Sequence, residues 1–196
     1  MGIRATDQTR ARVRAAFDAT PRADFLPDAV RHLADGDRPI GIGWDATNSQ
    51  PSTVARMLEL LDVRSGHRVL DVGSGSGWTT ALLAHLAGAA GEVIGVERVP
   101  ELVSFARARL RAAGVHARIE YAVAGVLGLP AHAPFDRILV SADFGRMPET
   151  IAAQLADGGR MVAPVAGIMT VVDMHVGTLH RREDDGRYSF VPLRED

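Results

Sequence analysis

A strand that ends in alternating glycines and runs straight into a helix constrains this chain more than any other feature. Val69-Leu70-Asp71-Val72 read as a short buried strand and Gly73-Ser74-Gly75-Ser76-Gly77 as a tight turn. Trp78 then opens a segment whose apolar residues Ala81, Leu82 and Leu86 share a helical face. A Cβ at the glycines would obstruct both the turn and the approach of a ligand to the backbone. The next apolar run, Glu92-Val93-Ile94-Gly95-Val96-Glu97, ends on a carboxylate, which at that place suits the paired hydroxyls of a ribose. Strand, glycine turn, helix and acid-tipped strand together describe a nucleoside-binding βαβ unit.

The spacing narrows the nucleoside. Dinucleotide folds use G-x-G-x-x-G and aim a helix N-terminus at a pyrophosphate. Here the pattern is G-x-G-x-G, and Asp71 stands two residues before the first glycine. A second carboxylate beside the loop repels a pyrophosphate and attracts an ammonium. S-adenosyl-L-methionine, which carries an ammonium, a sulfonium and a ribose but no phosphate, fits this better than a nicotinamide dinucleotide. Asp71, Gly73, Ser74, Gly75, Gly77 and Glu97 are the expected cofactor-side residues.

Composition sets outer limits. With 196 residues the chain is expected to be one domain, 1–196, with residues 1–50 as a helical and loop cap. A net charge of −2 leaves no electrostatic footprint for nucleic acid or an acidic membrane, and a monomer is expected. The absence of cysteine excludes disulfides, thiolate nucleophiles and cysteine-based metal sites. His175 and His180 have no acidic partner pattern, so no metal is expected. Met1 to Arg14 is too charged for a signal peptide and no long apolar run is present, so the cytoplasm is the expected location.

Along the chain, Asp7 to Phe17 reads as a helix with Val13 and Phe17 inward, followed by an irregular segment anchored by Phe25. Asp35 to Ser49 reads as a long shaped loop holding Gly36, Pro39, Gly41, Gly43 and Trp44. A helix from Pro51 follows, capped by Ser49, with Val54, Met57, Leu58 and Leu61 on one face. Beyond it strands alternate with helices: 68–72, 93–97, about 118–123, 136–141 and 160–164, with helices at 78–86, 100–113 and 148–155. A terminal hairpin is expected from Val171–Val176 and Tyr188–Leu193, turning at Asp184-Asp185-Gly186. The fold class is α/β: a Rossmann-like, doubly wound, mostly parallel sheet with a C-terminal antiparallel hairpin.

A second motif, Thr47-Asn48-Ser49-Gln50-Pro51, closes the long loop. Read in order with Thr20-Pro21-Arg22-Ala23-Asp24-Phe25-Leu26-Pro27, Arg38-Pro39-Ile40-Gly41-Ile42-Gly43, the glycine loop, Glu97-Arg98-Val99-Pro100 and the terminal Phe190-Val191-Pro192-Leu193, the chain resembles protein-L-isoaspartate O-methyltransferases over nearly its whole length. That resemblance implies methyl transfer from S-adenosyl-L-methionine to the free carboxylate of L-isoaspartyl residues in damaged proteins or peptides. The methyl ester then closes to a succinimide, whose hydrolysis restores some aspartate. It also implies that Ser49 is the active-site hydroxyl, that Thr47 and Gln50 belong to the same substrate-side motif, and that Arg98 and the backbone at Ala124 and Gly125 border the cofactor.

Three places depart from the family pattern. Trp44-Asp45-Ala46 adds two residues before Thr47, and Asn48 stands where an apolar residue is expected. Val123-Ala124-Gly125 replaces Gly-Asp-Gly and loses an acid that meets the adenine amino group, at a cost of ~0.5–1.5 kcal/mol. Ser141-Ala142-Asp143-Phe144-Gly145 brings a charge and a ring near the expected substrate mouth. Asp143 reads either as a solvated loop charge or as a residue that alters peptide preference. The departures keep two other readings open: a carboxyl methyltransferase dedicated to aspartyl residues of one precursor peptide, and a cofactor-binding protein without turnover.

Overall fold

The computed structural model describes residues 3–192. Helix α1 (Asp7–Ala19) begins where the Thr6 hydroxyl accepts a hydrogen bond from the Thr9 amide, and it buries Val13 and Ala16. Two short 3-10 turns, Arg22–Phe25 and Asp28–Leu33, follow, with Phe25 fully buried. The segment from Asp35 to Ser49 is not an irregular loop throughout. It contains a hairpin of β1 (Ile40–Gly43) and β2 (Ala46–Asn48), whose turn places Trp44 and Asp45 at φ +52° and +56°. Consecutive positive φ values suit the primed two-residue turns of tight hairpins.

Helix α2 (Pro51–Leu61) buries Val54, Met57, Leu58 and Leu61 as its spacing predicts. Its N-terminus differs from expectation. Gln50 occupies the cap position, and Asp37 does the capping work from the preceding loop. The Ser52 amide donates to Asp37 Oδ1 at 2.8 Å and Gln50 Nε2 to Oδ2 at 3.1 Å. Ser49 lies one residue too early to reach the first free amides.

The βα alternation then runs through β3 (Arg68–Val72), α3 (Trp78–Ala87), β4 (Glu92–Glu97), α4 (Pro100–Ala112), β5 (Arg118–Tyr121), β6 (Phe135–Val140), α5 (Glu149–Ala152), β7 (Leu155–Val165), β8 (Ile168–His175) and β9 (Thr178–Glu183). Seven strands form one sheet in the order β5-β4-β3-β6-β7-β8-β9, parallel from β5 to β7 and antiparallel beyond. Both faces are covered, by α2, α3 and α4 on one and by α5 with its flanking loops on the other, so the neighbours Val69 and Leu70 of β3 and Ile138 and Leu139 of β6 are all buried. One face packs Leu58, Leu61, Leu82 and Leu83; the other packs Ile94, Phe135, Ile138 and Met161. The chain goes outward from β3 to β4 and β5, then returns to β6 on the other side. That reversal opens a crevice at the carboxyl ends of β3, β4 and β6, where doubly wound sheets bind ligands.

The terminal hairpin is present but elsewhere. Its arms are β8 and β9, joined at Val176-Gly177, with φ +49° and +71°. Every residue of β9 is exposed, so it carries no apolar alternation to betray it, and a valine in the left-handed region is a weak turn signal. Asp184 to Pro192 instead folds back over the sheet, with Tyr188 N donating to Gly167 O and Asp143 N to Val191 O. Leu193 falls outside the described residues. The helix after Pro148 is also shorter than expected, at four residues, because β7 begins at Leu155 and passes through Gly158-Gly159.

Candidate active site

The glycine loop is held against β4 by its own backbone. Gly73 N and Ser74 N both donate to Val96 O, at 2.9 and 3.1 Å. Gly77 takes φ +86°, and a Cβ there would lie 3.1 Å from the Ala106 Cβ, so glycine is required for both conformation and packing. Gly95 in β4 is needed for a different reason. A Cβ would stand 2.7 Å from Ile119 Cδ1 and 2.9 Å from Ser74 Cβ, so the loop settles on the strand only because the side chain is missing.

Glu97, at the tip of β4, is 8% exposed and already fastened at both oxygens. Oε2 accepts from Gly75 N at 2.9 Å, and Oε1 accepts from Arg98 N and Val99 N at 2.8 and 3.0 Å. These bonds fix the carboxylate's direction while leaving lone pairs for a diol. Asp71 is placed differently. It is completely buried behind the loop, with Thr80 Oγ1 donating to Oδ2 at 2.7 Å and Oδ1 without a partner. Burial, opposed by the Thr80 bond and reinforced by Glu97, pushes its carboxyl up to about 7. The Ser74 hydroxyl is likewise buried and unpaired.

On the opposite side stands the β1–β2 hairpin. Arg22, 6% exposed, straps its base: the guanidinium donates to the carbonyls of Ala34, Gly36, Arg38, Asn48 and Ser49 and, from Nε, to Asn48 Oδ1 at 2.7 Å. Burial lowers the Arg22 pKa, while Asp37 acts through space to raise it. Asn48 Nδ2 in turn donates to Ser76 Oγ at 3.1 Å. The third wall, Tyr121 to Gly128, is pinned by Gln154, whose amide bonds Leu129 N and Leu127 O, both at 2.8 Å.

Between these walls lies a cavity of about 550 Å³, within the range of ~300–1,000 Å³ occupied by small-molecule sites. The structure brings Thr47, Gly73, Gly75, Glu97, Arg98 and Ala124 together on its lining. Asp71, behind the loop, and Ser74 and Gly77, within it, do not line the cavity; neither do Ser49, Gln50 or Gly125. Trp44, Tyr121 and Val123 also line the cavity and are 52–63% exposed, which gives it an apolar rim. The chemistry of the lining fits S-adenosyl-L-methionine. Bare glycine backbone, an oriented carboxylate and an apolar wall can take a ribose and an adenine.

The comparisons with known proteins agree. Residues 3–196 match the family model described as Protein-L-isoaspartate(D-aspartate) O-methyltransferase. The chain belongs to this family. It is 43% identical over 190 residues to the protein-L-isoaspartate O-methyltransferase of Aeropyrum pernix, covering 94% of this chain and 73% of that one. It is 46% identical over 191 residues to the one from Anaeromyxobacter dehalogenans, covering 93% and 88%. A Plasmodium falciparum structure described as a protein-L-isoaspartate O-methyltransferase in complex with S-adenosyl-L-homocysteine superposes with TM-score 0.84 at 24% identity, over 94% of this chain and 91% of that one, and shows the shared fold.

Within the isoaspartate methyltransferase fold, several features of this chain are not what its sequence suggests. Asp143 is neither a solvated charge nor a cavity residue. Its Oδ1 accepts from Gly145 N and Ala166 N, and its Oδ2 from Gly167 N at 2.8 Å, fastening the β7–β8 turn. Phe144 is buried in the core. Trp78, by contrast, packs as its sequence position suggests: 2% exposed, edge-on to Phe17, with its Nε1 donating to Thr20 O. The sequence marks neither the Arg22–Asn48 strap nor the Gln154 clamp, apart from the arginine within Pro21-Arg22-Ala23-Asp24-Phe25. His175 and His180 face each other at 6.4 Å on the outer hairpin, and among the described residues no group of three or more His, Asp or Glu is placed to hold a metal. No described helix is long and apolar enough to cross a membrane.

Proposed function

We propose that this protein transfers a methyl group from S-adenosyl-L-methionine to the free carboxylate of L-isoaspartyl residues, with the segment before Pro51 serving as a substrate-side cap. One observation carries the reading. The glycine loop, the Glu97 carboxylate and the Thr47 hairpin line a single cavity, so the cofactor side and the peptide side of the family motif meet. S-adenosyl-L-methionine, when bound, supplies the activated methyl. The chain's task is to hold an acceptor oxygen in line with it at roughly 3 Å.

No general base is needed, because a carboxylate with a pKa of about 3.9 is ionised at neutral pH. Glu97 holds the ribose hydroxyls, its orientation fixed by Gly75 N, Arg98 N and Val99 N. The amides and hydroxyls of Thr47 to Gln50 would steer the incoming carboxylate; Thr47 lines the cavity, and Ser49, the active-site hydroxyl implied by the family motif, does not. The strap on the Ser49 carbonyl, which accepts from Arg22 at 2.9 Å, holds that stretch still. Asp71, sealed behind the loop with its carboxyl pushed up to about 7 by burial, ties β3 to α3 through Thr80 and does not meet the methionyl ammonium. Exclusion of water by the apolar rim strengthens each of these attractions.

The test pairs two peptides that differ only in isoaspartate or aspartate at one position, with radiolabelled S-adenosyl-L-methionine. Base-labile label on the isoaspartyl peptide alone is the expected outcome. Label on neither, with cofactor binding confirmed by calorimetry, would remove the general repair reading.

A further inference from the structure

The Arg22 guanidinium is buried, and the groups it contacts are carbonyls rather than a carboxylate. Burying a cation this way is costly, and a hydrophobic strap of the same size would hold two loops together at less cost. What the arginine supplies is direction: it fixes the carbonyls of Asn48 and Ser49 and the Asn48 side chain at once. Asn48 passes that constraint on. Its oxygen accepts from Arg22 Nε at 2.7 Å and its nitrogen donates to Ser76 Oγ at 3.1 Å, with all three residues buried. Ser76 lies in the glycine loop. Arg22 also sits 5.4 Å over the ring of Trp78, the first residue of α3. The family motif carries an apolar residue at position 48, which can neither accept from Arg22 nor donate to Ser76.

We propose that Arg22, Asn48 and Ser76 act as positioning residues that tie the substrate hairpin to the cofactor loop, so that cofactor and peptide bind cooperatively. This rests on the assignment of Thr47 to Gln50 to the peptide side and of the glycine loop to the cofactor side. Settling the glycine loop around a ligand holds Ser76 Oγ in place, and through Asn48 this orders the backbone at Ser49. The coupling is reciprocal: a peptide held at Ser49 raises affinity at the loop by the same factor.

The experiment compares wild type with Ser76→Ala, which removes only the acceptor for Asn48, and with Asn48→Leu and the double variant. Calorimetry gives the affinity for S-adenosyl-L-homocysteine alone and with saturating isoaspartyl peptide. Wild type is expected to bind at least ~5-fold more tightly with peptide present. In Ser76→Ala the factor should fall to about 1; thermal melts confirm the fold. The double variant should lose no more coupling than Asn48→Leu, because both cut one link. A second readout is independent of peptide: S-adenosyl-L-homocysteine should slow amide exchange at residues 46–50 in wild type and not in Ser76→Ala. Equal protection in both proteins, none in either, or an unchanged coupling factor in Ser76→Ala would overturn the proposal. A wild type that methylates no isoaspartyl peptide but shows the exchange difference would instead defeat the substrate assignment and leave the link standing.

Discussion

Asp71→Asn isolates the electrostatic cost of the buried carboxyl under the glycine loop. Asp71 has no exposed surface, one bonded oxygen and one orphan, and burial pushes its carboxyl up to about 7. In the unfolded chain the same group titrates near 3.9. Between these values the folded state holds a proton that the unfolded state has released, so stability falls as pH rises through this window and levels off above it. From pH 5 to pH 8 the loss amounts to roughly 2–3 kcal/mol, since each unit of separation is worth about 1.4 kcal/mol. Asparagine is the isostere of the protonated carboxyl: it still accepts from Thr80 and cannot ionise. Whatever fixed cost its unpaired amide carries is the same at every pH. In a domain of this length 1 kcal/mol moves Tm by about 2–4 °C, so the Tm of Asp71→Asn minus that of wild type should rise by about 5–10 °C between pH 5 and pH 8. Calorimetric melts at intervals of half a pH unit would measure it. A Tm difference that stays flat across the series would refute the argument, and would mean that Asp71 is ionised with a counter-charge the structure does not contain.

Glu97→Gln should lower affinity for S-adenosyl-L-homocysteine by ~10-fold or more. A charge-assisted hydrogen bond is worth about 1.5–3 kcal/mol, and the new amide turns a donor toward the backbone donors Gly75 N or Arg98 N; unchanged calorimetric affinity would remove Glu97 from the ribose site. Trp44→Ala should raise KM for isoaspartyl peptides by roughly fivefold, the worth of one aromatic contact, with S-adenosyl-L-homocysteine affinity held; a shift in cofactor affinity alone would place the ring over adenine instead. Asp184→Asn should cost about 2–4 kcal/mol in urea unfolding, because Arg56 meets Asp184 at both oxygens while also holding Ile3 O. Burial alone would raise the Asp184 carboxyl, but the Arg56 bonds hold it below the usual range. Its contribution is therefore present above ordinary carboxylate pH and fades as pH falls through the lowered value. Equal stability of the two proteins at pH 7 would contradict this.

The parallel half of the fold was legible because its signals are local. β3 and β4 are apolar runs bounded by glycines, and α2 and α4 carry helical spacing with proline in the first turn. The antiparallel edge was misread for an equally local reason. β9 lies at the rim with both faces wet, so it lacks the alternation that marks a half-buried strand, while Asp184-Asp185-Gly186 looks like a turn and instead carries the chain into a salt bridge. For the site, residue types could be placed on loops, but not which way their side chains face. Asp71 and Glu97 both close strands beside glycines, yet one is sealed behind the loop and the other lines the cavity. That distinction depends on Thr80 and Gly95, whose part in it emerges only once α3 packs on β4.

The same difference in orientation sorts the three departures from the family pattern. At the level of sequence each is a change near the substrate mouth. In the structure, Asn48 turns inward to join Arg22 to Ser76, and Asp143, half-exposed, collects three amides of the β7–β8 turn and its own loop. Ala124 lines the cavity with no polar side-chain group of its own. The two-residue addition is different, because the hairpin spends it on a turn that holds Trp44 at positive φ and 55% exposed on the cavity rim. A non-glycine residue in that region is strained, and strain persists only where the surrounding structure holds it. A side chain that fastens a loop affects every substrate alike, since it sets loop geometry before any peptide arrives. A ring on the rim meets what flanks the isoaspartyl residue and can discriminate between peptides. Peptide preference in this chain should therefore follow Trp44, and substitutions at Asn48 or Asp143 should change rates across all peptides by a common factor.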